Sequence, residues 1–203
     1  MGRPAQGGEL DEKPDQYEHK TFHLGRGYLT ALCGVGVLRS VILGIPDRKD
    51  AMQELFVDKP DDLIRLCEQL KGSEWLALDT EFIREKTYYP RLCLIQICNG
   101  EVAACVDPLK LSDLGPLLDI LYDGSILKVL HAARQDLEIF LHDYKRLPMP
   151  VFDTQPAAAL LGHGDQIGYA NLVKLLLNVE LPKDQTRTDW SQRPLDQQQQ
   201  RYA

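Results

Sequence analysis

WLALDTEFIREKTYYPRLCLIQICNG, residues 75–100, sets two acids into a stretch that otherwise reads as buried β-strand. With a side-chain period of two, Leu76, Leu78, Thr80 and Phe82 share one face and Trp75, Ala77, Asp79 and Glu81 share the other. Asp79 and Glu81 therefore stand about 7 Å apart along one side of one strand. Like charges at that spacing inside a sheet repel and lose hydration, which raises their pKa values unless a cation or hydrogen-bond donors compensate. An Arg or Lys partner in a structural ion pair is one answer. A hard divalent cation is the other, because Mg2+ and Mn2+ take carboxylate oxygens and keep water positions open.

Working outward, the apolar run 92–98 meets a second run, 102–106, across Asn99-Gly100. Asn-Gly tolerates positive φ at both positions, so the two runs are expected to form an antiparallel hairpin. Upstream, ELFVD predicts a short strand, and DDLIRLCEQLKG spaces Leu63, Leu66, Cys67 and Leu70 as one helical face ended by Gly72. Downstream, LSDLGPLLDILYDG predicts a helix, SILKVLHA a strand, and QDLEIFLHDYK a helix with Leu137, Phe140, Leu141 and Tyr144 as its apolar stripe. After VFDT the remainder reads as helical, through YANLVKLLLNV to PLDQQQQRYA, with the glutamines 197–200 on the exposed side of a starting helix. This order predicts an α/β fold: a mixed sheet with an antiparallel hairpin and helices on both faces.

The chain has 203 residues and is 44% hydrophobic, enough for one domain and an extension. The extension is assigned to residues 1–51 and the folded unit to 52–203, and Met52, directly before the first regular pattern, could be the native start. A net charge of −7 argues against coating nucleic acid by bulk attraction, though a local basic patch can still grip a phosphate chain. The apolar run 28–45 is broken by Arg39 and diluted by glycines, so no membrane role is expected. The five cysteines lack zinc-type spacing and four of them fall in apolar runs, which suggests reduced core residues in a cytoplasmic setting.

Asp136 falls in the first turn of the helix that follows SILKVLHA, four residues before Phe140 and so on its side of the helix. It can serve the helix dipole or supply a further acid to Asp79 and Glu81. His131, just before that helix, reads as a packed or hydrogen-bonded histidine.

Taken together, LALDTEFIREKTYYPRLCLIQI, VLHAARQDLEIFL, FDTQPAAALL and QTRTDWSQRPLDQQQQRYA resemble ribonuclease D over about residues 52–203. That family comprises 3'-5' exoribonucleases of the DEDD superfamily with an RNase H-like fold. The resemblance implies that Asp79, Glu81 and Asp136 ligate two divalent metal ions, Mg2+ or Mn2+, for hydrolysis of the terminal phosphodiester. Tyr202 matches the tyrosine of the family's Y-x-x-x-D motif and would position the attacking water. The motif's acid would fall at position 206, past the 203 residues given, so the chain looks cut off within its active site and weak activity is expected.

The implied substrate is RNA with an unpaired 3' end, tRNA precursors above all, and the implied protein is a monomer. Phe82, Tyr88, Tyr89 and Arg91, with Arg84 and Lys86, could line the RNA groove by stacking on bases and following phosphates. Equally, Tyr88 and Tyr89 could pack their loop against the sheet. Arg187, Asp189 and Trp190 in RTDW suggest a structural clasp leading into the last helix. Two alternatives remain open at this point: a proofreading-type DNA exonuclease, and a catalytically inactive nucleic-acid-binding module of the same fold.

Overall fold

Six strands, β1 (Gln53–Val57), β2 (Trp75–Ile83), β3 (Arg91–Cys98), β4 (Val102–Val106), β5 (Leu127–Leu130) and β6 (Val151–Asp153), form one sheet in the order β1-β4-β3-β2-β5-β6. The computed structural model describes residues 52–84, 88–181 and 188–203, Arg201 by its backbone alone. The expectations for residues 1–51, the apolar run 28–45 among them, and for Lys86 and Arg187, lie outside the described residues. Among the described residues no helix is long and apolar enough to cross a membrane.

The antiparallel core of the sheet is β2–β3–β4, and β1, β5 and β6 add to it in parallel. Asn99 and Gly100 make the expected hairpin: Gly100 adopts φ 91°, and Asn99 Oδ1 accepts from the amides of Glu101 and Val102 at 3.0 Å each. Helices α1 (Pro60–Leu70), α2 (Gly115–Leu121) and α3 (Arg134–Tyr144) cover one face, packing Leu66, Leu117 and Phe140 on Leu76, Leu78 and Ile97. Helices α4 (Thr154–Leu160) and α5 (Tyr169–Leu177) follow β6. The last helix, α6 (Gln197–Tyr202), and the segment before it cover the opposite face, where Trp190, Leu195 and Tyr202 meet Ala77, Leu94 and Cys105. The mixed sheet with helices on both faces is thus as the pattern predicted. Cys67, Cys93 and Cys105 are buried free thiols within it.

Two local expectations need correction. On α3, Leu137, Phe140 and Tyr144 meet the core as expected, but Leu141 is 52% exposed, and Ile139 is buried beside Asp136 and Phe140. The glutamine run is not merely an exposed face, because Gln199 is buried and its side chain completes a capping box with Asp196. Strand β6 carries only three residues, too few to show a period, and its pairing with β5 is a tertiary event.

Candidate active site

The pairing of β2 is unequal on its two sides. It runs with β3 as far as Ile83 but with β5 only over Trp75–Ala77. Beyond Ala77 the β5 side of β2 is therefore an open edge, and Asp79 and Glu81 stand on that overhang. A bulge between Glu81 and Phe82 ends the regular register there. The edge opens on a cleft of about 250 Å3 whose walls include Asp79, Glu81, Asp136 and Tyr202.

Asp136 reaches the cleft because the turn from β5 into α3 is clamped. Ala132 adopts φ 56°, an unusual conformation for a residue with a Cβ. Asp153, at the end of β6, holds that turn by accepting from the amides of Ala132 and Ala133 at 2.9 Å each. The same carboxylate caps α4 through the Gln155 amide at 2.9 Å. Helix α3 then starts where its first turn meets β2, and Asp136 Oδ1 accepts from Thr80 Oγ1 at 2.5 Å. His131 Nδ1 lies 2.8 Å from Thr154 Oγ1. Its Nε2 is 3.0 Å from the Ile167 carbonyl, which can only accept, so that nitrogen carries a proton and donates. His131 thus ties the approach to α5 onto the cleft, the hydrogen-bonded role its sequence context suggested.

Burial, and then repulsion from Asp136, raises the Asp79 carboxyl well above the usual carboxylate range. Burial, then Asp79 and then Asp136, does the same to Glu81, against a lowering hydrogen bond from Gln96. Asp136 is raised by burial more than the Thr80 hydrogen bond lowers it. None of the three forms an ion pair with a described side chain. A structural ion pair therefore does not explain them among the described residues. Nor do any three His, Cys, Asp or Glu side chains among these residues stand as a ready-made cation cage. Asp136 is turned onto Thr80. As a donor set, buried and half-buried carboxylates around a polar cleft fit a hard divalent cation, which would offset the burial that raises all three and the repulsion that adds to it at Asp79 and Glu81.

Tyr202 is 7% exposed and packs against Trp190 with ring centroids 5.9 Å apart. The segment before α6 is anchored by Arg193. Its Nε and Nη2 donate to the two carboxylate oxygens of buried Asp107 at 2.5 and 2.9 Å, Nη2 also to the Cys93 carbonyl at 2.7 Å, and Nη1 to the Trp190 carbonyl at 2.8 Å. Asp189 Oδ1 accepts from the Ser191 amide and hydroxyl, and Gln199 Nε2 donates to the Asp189 carbonyl at 3.0 Å. Asp189 and Trp190 thus do form a clasp.

The residues expected to bind substrate are divided. Phe82 lines the acidic cleft. Tyr88, Tyr89 and Arg91 line a second one of about 500 Å3, shared with His142 near the end of α3. There the Tyr89 ring stacks on His142 at 3.8 Å, Tyr88 meets Tyr89 edge-on at 4.8 Å, and Tyr88 is 77% exposed. Arg84 is held by Glu138 at 3.3 Å and by the Tyr88 carbonyl at 3.0 Å.

Residues 55–203 match a family model described as 3'-5' exonuclease. The chain belongs to this exonuclease family. Ribonuclease D of Zymomonas mobilis is 52% identical over 143 residues, which are 70% of this chain and 37% of the relative. The crystal structure of Escherichia coli RNase D, described as an exoribonuclease involved in structured RNA processing, superposes with TM-score 0.70 at 44% identity, over 75% of this chain and 40% of that one. The catalytic core of RRP6 from Trypanosoma brucei gives TM-score 0.68 at 28% identity, over 75% and 42%. The resemblance to ribonuclease D and the RNase H-like fold are both borne out. The chain spans about two-fifths of the length of the relatives it matches.

In this exonuclease-family chain, Asp153, Arg193, Asp107 and Gln96 shape the cleft without having been singled out from sequence. Asp153 stood in plain sight in FDT, directly before a helix start, where Asp is a common cap. Arg193 lay within the quoted RPL text. Gln96, one polar residue in the apolar run LCLIQIC, was the clearest missed signal.

Proposed function

We propose that this chain is the nuclease domain of a 3'-5' exoribonuclease, a cytoplasmic monomer that trims unpaired RNA 3' ends, those of tRNA precursors among them. What supports the reading is the meeting of Asp79, Glu81, Asp136 and Tyr202 around one cleft at the open edge of β2. Asp79, Glu81 and Asp136 would hold two divalent cations, Mg2+ or Mn2+, which when bound would supply Lewis-acid chemistry for hydrolysis of the terminal phosphodiester. Tyr202 orients the attacking water; a phenol is too weak a base at neutral pH to remove its proton alone. Trp190 and the Arg193 anchor keep Tyr202 in register with the acids. Phe82 contacts the terminal nucleotide, and Tyr88, Tyr89 and Arg91 take the preceding bases and phosphates by stacking and charge.

The deciding assay is release of 5'-mononucleotides from matched single-stranded RNA and DNA oligonucleotides with Mg2+, with Mn2+ and with EDTA. It is run on the 203-residue chain and on a version extended to an aspartate at position 206. The reading expects metal-dependent release from RNA, abolished by Glu81→Gln and raised by the extension. Equal cleavage of DNA would favour the proofreading-type reading, because the 2'-hydroxyl distinguishes the substrates. Binding without cleavage by either version would favour the inactive module.

A further inference from the structure

Gln96 lies fully buried in the middle of β3, opposite Asp79 in the β2 register and Cys105 in the β4 register. Its neighbours on that face, Leu94, Cys98 and Cys105, belong to an apolar cluster, so a Leu or Met would fill the position without burying a polar group. Gln96 Nε2 donates to Glu81 Oε1 at 3.3 Å, while Gln96 Oε1 has no hydrogen-bond partner. A buried amide left half-satisfied opposes folding, so packing alone does not account for it. Its one hydrogen bond goes to an acid of the cleft, and among the described residues it is the one side chain that donates to Glu81.

The chemistry of the donor matters. A Lys or Arg here would neutralise Glu81 and compete with a cation for its oxygens. An amide restrains one oxygen, adds no charge, and leaves the second oxygen uncommitted. Side chains of this kind, hydrogen-bonded to a ligand rather than to the ion, orient ligands and sustain affinity. We propose that Gln96 is a positioning residue for Glu81, setting the direction of its carboxylate toward the cation; this rests on the active-site reading above.

The test is a Mn2+ titration, with free Mn2+ followed by electron paramagnetic resonance, on the 203-residue chain and on Gln96→Met, Glu81→Gln and the double variant. Methionine conserves volume and removes the donor. Gln96→Met is expected to weaken Mn2+ binding roughly 10- to 100-fold. Its melting temperature in EDTA should not fall, and the double variant should bind no more weakly than Glu81→Gln alone. Should Gln96→Met bind as the parent does while Glu81→Gln is weakened, the inference falls and the active-site reading stands. Absence of Mn2+ binding in the parent chain would remove both. If Gln96→Met does not fold, Gln96→Leu takes its place, and failure of both to fold would assign the amide a purely structural role and overturn the proposal.

Discussion

Replacing Asp79 by Asn should stabilise the metal-free protein and remove much of the stabilisation that metal supplies. Burial and the Asp136 charge push the Asp79 carboxyl up to about 8. The native state therefore holds its proton at pH values where the unfolded chain, with an ordinary carboxylate, has released it. Because the native state binds more protons, stability falls as pH rises between the unfolded and folded pKa values, by up to about 1.4 kcal/mol per pH unit. Between about pH 5 and about pH 7 this would be about 3 kcal/mol for a fully enclosed group. Asp79 is only half-buried, and solvent at the cleft reduces the expected loss to roughly 1–2 kcal/mol. At about 2–4 °C per kcal/mol for a chain of this size, the parent in EDTA should melt roughly 2–8 °C lower at pH 7 than at pH 5. Asp79→Asn should reduce that slope, Glu81 and Asp136 keeping their own share of it, and melt above the parent at pH 7. With Mn2+ the order reverses, because ligand at about a hundred times its Kd adds about 2.7 kcal/mol to the parent and much less to a variant lacking one ligand. Differential scanning fluorimetry across pH, with EDTA and with Mn2+, reads all of this. A variant that melts below the parent in EDTA and keeps the full Mn2+ shift would refute the reasoning, for Asp79 would then be a structural acid.

Breaking the buried Arg193–Asp107 pair by Arg193→Met should cost about 3–5 kcal/mol, because it strands a buried carboxylate; urea unfolding followed by Trp190 fluorescence measures it. Asp153→Ala leaves the Ala132 and Ala133 amides and the α4 cap without their acceptor, and should cost about 2 kcal/mol or more in the same unfolding assay, with nuclease activity falling because the start of α3 shifts. Tyr88→Ala, at a site 77% exposed, should change stability by less than about 0.5 kcal/mol yet raise KM for RNA more than it lowers kcat; steady-state kinetics on oligonucleotides of increasing length check it.

The strands were legible because their signals are local. The alternation in WLALDTEF placed both acids on one side of β2, and Asn99-Gly100 dictated the hairpin through its φ preferences. The text of the four stretches sufficed to identify the family. On α3, periodicity placed Leu137, Phe140 and Tyr144 toward the core as expected but also Leu141, which only packing on the sheet leaves exposed while burying Ile139. The same holds for Gln199, which sequence leaves in a polar run and the fold buries against the 189 carbonyl. The cleft itself exists because β5 stops pairing with β2 at Ala77, because Asp153 clamps a turn from a different strand, and because Arg193 bonds across to Asp107. None of these partners is near its counterpart in the chain. Sequence alone named the candidate residues, through the resemblance of their motifs to a family, and placed each on its element, which follows from short-range sterics and side-chain period. Tertiary structure decided which of them share a cleft, since that depends on where strands end and on contacts between distant segments, which no local pattern encodes.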